Sequence, residues 1–252
     1  MSGVGVELKS VCFAYPVGGP TIFSNFCLDV PPSQVLGIFG PNGCGKSTIL
    51  AMIGQILKPD AGRIHIDVPT GETLRIGFVF QNYNISLFPW RNCLDNIIFS
   101  IERHHTYEKA TRIVQDALAE YDVLLPLGRY PNAMSGGQKQ LTAIMRAVVP
   151  LPNLLVMDEP FGSLDFLARA RIIEAIESAC LKLRTTAIVV SHELDELLLL
   201  SDRILVFSNA PIRILGDFNV TASRPRSGLI RSCVDIELKR KILKSISAVR
   251  VM

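Results

Sequence analysis

No stretch of this 252-residue sequence approaches the ~18 uninterrupted apolar residues that a membrane-crossing helix needs, so no span is expected. Met1 to Ser10 lacks a charged start followed by an apolar run, so no secretory signal is expected either. The six cysteines, at positions 12, 27, 44, 93, 180 and 233, form no Cys-x-x-Cys pair, and the four histidines show no ligand spacing. Both absences argue against a zinc site or a disulfide framework and suit reduced thiols in a cytosol. An excess of one charge is also missing. The 26 Lys and Arg against 23 Asp and Glu leave +3, too little and too dispersed to argue for nucleic acid. Basic residues gather only late, at Arg224, Arg226 and Arg231 and then Lys239, Arg240 and Lys241. They read as a solvated helix face, with an anionic surface or partner as the alternative. Internal repeats and low-complexity tracts are absent.

What is abundant is apolar. Hydrophobic residues make up 48% and charged residues 19%, which points to a large core or a hydrophobic partner. The length suits one large α/β domain with an inserted lobe.

The stretch Gly40-Pro41-Asn42-Gly43-Cys44-Gly45-Lys46-Ser47-Thr48 fits G-x-x-x-x-G-K-[ST]. The apolar run Val35 to Phe39 before it reads as a short buried strand, and Ile49 to Leu57 after it reads as a helix. Glycines let the backbone curl so that successive N–H groups converge on a phosphate chain. The helix N-terminus adds about half a positive charge at the same place. Lys46 would reach the β- and γ-phosphates and Ser47 would take a place on Mg²⁺. A purely structural turn would not need the lysine–hydroxyl pair.

Around that loop, Val6 to Ala14 and Phe26 to Val30 read as strands separated by a turn at Gly18-Gly19-Pro20. Tyr15 would either stack on a nucleotide base or close the core at a strand end. Arg63 to Val68 and Leu74 to Phe80 read as further strands. Gln81 emerges at the end of the second, where an amide can serve a metal or water or be merely exposed. Helical texture then runs from Leu87 to Tyr130, with helices expected over Cys93 to Ile101 and Tyr107 to Tyr121. These look like a helical lobe inserted into the nucleotide core.

Met134-Ser135-Gly136-Gly137-Gln138 is a second Gly-bearing turn, feeding a helical pattern from Lys139 to Val148. It offers a second potential anion site, though a Ser cap with glycines begins many helices. Leu154 to Met157 then runs into Asp158-Glu159, a buried strand ending in two carboxylates. Asp158 would order the Mg²⁺ shell. Strand alternation would put Glu159 on the opposite side, free to act as a general base toward water. Phe166 to Leu183 reads as a helix and Thr186 to Val190 as a strand ending at Ser191-His192. A lone histidine there would be a surface residue. Here it is the third strand end with a polar group, and ligands gather at carboxyl strand ends. Arg203 to Phe207 and Ile212 to Phe218 read as a closing hairpin, and Asp235 to Val249 as a terminal helix.

With these motifs in this order, the chain resembles an ABC-transporter ATPase subunit over nearly its whole length. The resemblance implies an α/β P-loop NTPase core, a RecA-like mixed sheet with an antiparallel β subdomain. A helical signature subdomain would be inserted at about 88–150, and a helical tail would occupy about 224–252. It implies ATP and Mg²⁺ as ligands. Tyr15 matches the loop that stacks on adenine, Gly40 to Thr48 the Walker A motif, and Gln81 the Q-loop glutamine. Ser135, Gly136, Gly137 and Gln138 match the signature, which binds the γ-phosphate held by the other protomer. Asp158 and Glu159 match Walker B and the catalytic glutamate, Ser163-Leu164-Asp165 the D-loop, and His192 the switch histidine. Ser47, Gln81 and Asp158 would serve the metal; Lys46, Glu159 and His192 would act in hydrolysis. Two departures are visible: Met134 stands where leucine is usual, and Leu141 where arginine is frequent, while Arg146 keeps the family pattern.

The segment from Phe80 to Asn96 and the tail from Arg224 to Arg231 resemble the nitrate/sulfonate/taurine importer group. That implies an ATPase subunit on the cytoplasmic face of the plasma membrane, powering uptake of a small solute such as nitrate, a sulfonate, taurine or bicarbonate. Its partners would be separate transmembrane permease subunits, a second ATPase subunit and, indirectly, a solute-binding protein. An importer for another small organic solute, or a non-transport ABC ATPase, are the alternatives. Phe88 and Trp90 would form a permease socket or belong to the core of the helical lobe. Cys44, inside the phosphate cradle, is expected to react with a bulky thiol reagent unless ATP protects it.

Overall fold

The alternating residues near the N-terminus build two ten-residue strands, β1 (Gly5–Ala14) and β2 (Thr21–Val30). They pair antiparallel, with Val6 opposite Val30 and Val11 opposite Phe26. β2 starts five residues before the expected Phe26, and the reason is local. Ser10 and Asn25 adopt left-handed backbone conformations (φ 48° and 53°), and the register shifts around them interrupt the alternation that identifies a strand. β3 (Val35–Phe39) leads into α1 (Lys46–Ile53), and β4 (Ala61–Asp67) covers the free edge of β1 to give the order β2-β1-β4. The computed structural model describes residues 3–16, 19–162, 164, 166–222, 226 and 235–247.

β5 (Ile76–Val79) is followed by four helices before the chain returns to the sheet: α2 (Tyr83–Ser86), α3 (Cys93–Ile98), α4 (Tyr107–Glu120) and α5 (Gly136–Val148). The starts of α3, α4 and α5 are capped by side chains. Asn92 accepts from Asp95 N at 2.8 Å, and Thr106 accepts from Lys109 N at 3.4 Å. β6 (Leu154–Asp158), α6 (Phe166–Leu183), β7 (Thr186–Val190), α7 (Leu194–Leu200), β8 (Arg203–Phe207), β9 (Ile214–Asn219) and α8 (Ile236–Ser247) complete the order.

The second sheet runs β5-β6-β7-β3-β8-β9, parallel throughout except for β9 on β8. Its central strands are continuous apolar runs because both faces are covered. Leu36, Ile38, Leu154, Val156, Ile188 and Val190 turn to one face, where α1 and the three-stranded sheet pack. Leu155, Met157, Ala187, Val189, Ile204 and Val206 turn to the other, toward the helices of the inserted lobe and α6 and α7. The period of two along each strand therefore divides the interior into two cores.

One expectation is corrected here, and one alternative is removed. Arg226 does not belong to a solvated basic face: it is buried, donating to Ala222 O and Ser201 O while its backbone N–H donates to Glu177. An aliphatic stem with five fixed donors can close a crowded corner that a solvated charge would avoid. Lys239, Arg240 and Lys241 do lie on a largely solvated face of α8, with Lys239 paired to Asp195 at 2.5 Å. Arg224 and Arg231 lie outside the described residues. Trp90, at 71% exposure, is on the surface and not in the core of the helical lobe. Asn96 explains this. Its buried amide accepts from Phe88 N and donates to Phe88 O, Arg91 O and Asn92 O, pinning the loop so that Trp90 stands outside it.

Candidate functional site

Four neighbouring strands, β5, β6, β7 and β3, end side by side, and each delivers a polar group past its carboxyl end. Gln81 follows β5, Glu159 follows β6, Ser191-His192 follow β7, and the loop from Gly40 follows β3. Because the strands are parallel, all four groups reach the same edge of the sheet, where open α/β folds place ligands.

The loop after β3 is a cradle of backbone. Gly43 and Gly45 carry φ values of 74° and 116°, which L side chains rarely adopt. At Gly45 a Cβ would also collide with the side chain of Ile22. Lys46 is 6% exposed, and its ammonium donates to Gly40 O and Pro41 O at 2.8 Å each, resting on carbonyls of its own loop. With Gly45 as a left-handed cap, α1 begins at Lys46, three residues before the expected Ile49. The first N–H groups of the helix thus face the loop.

A cleft of about 350 Å³ sits on this cradle. Its floor is Asn42, Gly43 and Gly45 to Thr48; its walls include Tyr15, Gln81, Asp158 and Glu159. The Tyr15 hydroxyl and Thr48 Oγ1 are 2.9 Å apart, so the tyrosine is tied to the first turn of α1 with much of its ring still exposed. Ile22, at the start of β2, is a lining residue the sequence reading did not single out. Nothing in its local pattern separates it from an ordinary core isoleucine.

Cys44 requires a correction. Its thiol is 2% exposed and belongs to the apolar core with Leu36, Ile38 and Phe207. Burial pushes the thiol pKa up, against a smaller opposite pull from Lys46. Only its backbone is placed to join the cradle. The expected block by a thiol reagent therefore does not follow from this geometry.

Asp158 is 6% exposed, and burial is the main cause that pushes its carboxyl pKa up. A hydrogen bond from Ser47 and the charge of Lys46 pull it down, while neighbouring Glu159 pushes it up. Glu159 does not point away from Asp158, as strand alternation would have it. The strand has ended, Glu159 sits at φ 47°, and both carboxylates line the same cleft. A left-handed conformation costs roughly 1–2 kcal/mol at a non-glycine residue, and such strain gathers where placement matters. Glu159 Oε2 is then met from two sides, by Gln81 Nε2 at 3.4 Å and His192 Nδ1 at 3.2 Å.

Ser135 to Gln138 is not in this cleft. The Ser135 hydroxyl accepts from Gln138 N at 3.3 Å, and Gln138 Oε1 accepts from Ser135 N at 3.0 Å, a reciprocal cap opening α5. Ser135 and Gly136 are exposed, so the helix end faces outward. Met134 is buried beneath it, filling the place of the usual leucine with similar volume. Ser163 and Asp165 lie outside the described residues.

The donor set of Ser47, Gln81 and Asp158 consists of hard oxygens, one of them a buried carboxylate whose charged form burial disfavours. That chemistry fits Mg²⁺, which prefers oxygen ligands and would offset the buried charge.

The ABC transporter family pattern matches residues 23–162. Over 228 residues the chain is 36% identical to the nitrate import ATP-binding protein NrtC of Synechococcus elongatus, covering 86% of this chain. It spans about a third (34%) of that longer protein. It is 34% identical to the nitrate transport protein NasD of Klebsiella oxytoca, over 89% of this chain and 87% of the other. With the aliphatic sulfonates import ATP-binding protein SsuB of Cupriavidus necator it shares 35% identity, over 89% of this chain and 72% of the other. Among solved structures, a dimeric ATP-binding cassette in a post-hydrolysis state with ADP and Pi superposes with a TM-score of 0.76 at 26% identity. That likeness covers 86% of this chain and all of the other. The chain belongs to the ABC transporter family.

Proposed function

We propose that this chain is the ATP-hydrolysing subunit of an importer for a small solute, working through a separate permease. The observation that carries the reading is the convergence of Gln81 and His192 on Glu159 beside the cradle of Lys46 and Asp158. Backbone N–H groups of Gly43 to Thr48 bind the phosphates, and Lys46 leaves the Gly40 and Pro41 carbonyls to meet the β- and γ-oxygens. Tyr15 stacks on the base. Ser47, Gln81 and Asp158 would hold Mg²⁺, which when bound would neutralise phosphate charge. Glu159 takes a proton from the attacking water, and His192 holds Glu159 and the γ-phosphate in line.

The other wall is the Ser135–Gln138 helix end of a second copy. Two facts support this: that helix end is exposed and outside its own chain's cleft, and the cassette above is dimeric. ATP then closes the pair and hydrolysis releases it.

A groove of about 760 Å³ beside Gln81 is lined by Phe78, Phe80, Phe88 and Phe99, with Arg146 against the Phe88 ring at 5.6 Å. Ile85 and Trp90 stand exposed near it in sequence. An apolar surface of this kind is the docking site for a permease helix, and Gln81 links it to Glu159. Among the described residues no helix is long and apolar enough to cross a membrane. The groove is the proposed point of peripheral attachment. The relatives named for nitrate and sulfonates make a small oxyanion or sulfonate the proposed solute class.

Glu159→Gln tests the assignment of the base. We expect ATP binding to persist while turnover falls about a hundredfold or more, measured by phosphate release and equilibrium nucleotide binding. Near-normal turnover would refute it.

A further inference from the structure

The residue before the switch histidine is buried and highly constrained. Ser191 Oγ donates to Glu196 Oε2 at 2.5 Å and accepts from Glu193 N at 2.9 Å. One hydroxyl thereby closes the turn that carries His192, anchoring it to the first turn of α7. Glu196 is 6% exposed, and burial pushes its carboxyl pKa up, countered by the Ser191 hydrogen bond and the charge of Arg169. Its second oxygen, Oε1, lies 3.2 Å from Arg169 Nη1, on α6. Arg169 Nη2 in turn reaches the carbonyl of Leu164, in the loop between β6 and α6, at 3.5 Å. Arg169 Nε is buried without a hydrogen-bond partner among the described residues.

An ion pair of a buried carboxylate with a half-buried guanidinium is weak as a source of stability, since desolvation offsets much of the attraction. Its geometry suits another task. The contacts run without a gap from Leu164 O through Arg169, Glu196 and Ser191 to the turn of His192, whose Nδ1 meets Glu159. One end of that run is His192, and the other, Leu164, follows Glu159 by five residues on the connection between β6 and α6.

We propose that Glu196 and Arg169 are positioning residues for hydrolysis, a strut that holds His192 against Glu159 and ties it to the Leu164 loop. The inference rests on the role given to His192 above. It adds that this role depends on a carboxylate and a guanidinium that touch no nucleotide.

The test uses the full-length chain, with steady-state ATP hydrolysis and equilibrium binding of a fluorescent ATP analogue. Glu196→Ala is expected to lower kcat about tenfold or more while KM and analogue affinity stay within about twofold. Glu196→Gln keeps an acceptor for Ser191 but gives up the charge paired with Arg169, and is expected to recover only part of the loss. In a His192→Ala background, Glu196→Ala should cost nothing further, because both changes remove the same function. Should Glu196→Ala fail to fold, Ser191→Ala carries the same test, removing a single hydroxyl from a packed turn. An unchanged kcat, or equal losses with and without His192, would overturn the strut and leave the role of His192 standing. A His192→Ala chain that turns over normally would instead overturn that role, and the strut with it.

Discussion

Gly40–Ser47 and Ser135–Gln138 are both glycine-bearing turns that open a helix, yet the chain finishes them differently. Around the first it builds walls: Tyr15 bonded to Thr48, Lys46 buried on its own carbonyls, and Asp158 held by Ser47. The second is closed by a reciprocal cap over buried Met134, and Ser135 and Gly136 are left exposed. A helix N-terminus attracts anions in either case. The difference lies in what surrounds it, and on the function proposed above it separates the wall this chain builds for its own nucleotide from the wall it offers to another copy.

Breaking each turn separately should therefore give two phenotypes. Lys46→Ala and Gly136→Asp are each expected to lower hydrolysis about a hundredfold, since one removes and the other opposes stabilisation of phosphate charge. Nucleotide binding by the isolated chain distinguishes them: it should weaken markedly for Lys46→Ala and stay within about threefold for Gly136→Asp. Equal binding defects would mean that both turns serve one intrachain site.

The walls of the first turn can be probed more finely. Tyr15→Ala is expected to weaken ATP binding about tenfold, the magnitude of a lost aromatic stack, while Tyr15→Phe should cost much less. Titration with a fluorescent ATP analogue reads both. A tyrosine that only closed the core would lower thermal stability instead and leave affinity unchanged.

How much of this was readable beforehand depends on what each signal measures. β3, β7, β8 and α6 begin and end where the sequence places them; for the strands, continuous apolar runs bounded by breakers mark buried parallel pairing well. α7 was missed because Leu194–Leu200 is almost uniformly leucine after its first acids, which leaves no helical period to detect. Glu159 was assigned to the cleft, but by an alternation argument that its left-handed backbone makes irrelevant. Strand order is what joins Gln81, Glu159 and His192, and pairing between strands far apart in sequence is not written in any one of them. The burial of Arg226 and the inward turn of Cys44 belong to the same class. Both depend on which neighbours tertiary packing supplies, and local composition is silent on that.

The smallest expected effect concerns that inward turn. Alkylation of Cys44 should remain slow between about pH 7 and 8.5, with or without ATP, because burial keeps the thiolate scarce. Exposed Cys27 should react faster, and peptide mapping by mass spectrometry reads the two together. A Cys44 that reacts as fast as Cys27 and is protected by ATP would put its thiol back in the cradle.

The most direct test of a site shared between copies is a mixing experiment. Lys46→Ala and Gly136→Asp chains, each nearly inactive alone, are combined at varied ratios and ATP hydrolysis is followed. In a mixed pair one site carries both lesions and the other carries neither, so hydrolysis should reappear and peak near equal proportions. If every mixture stays as inactive as its components, although sedimentation shows mixed pairs forming with ATP, the two turns do not share a site.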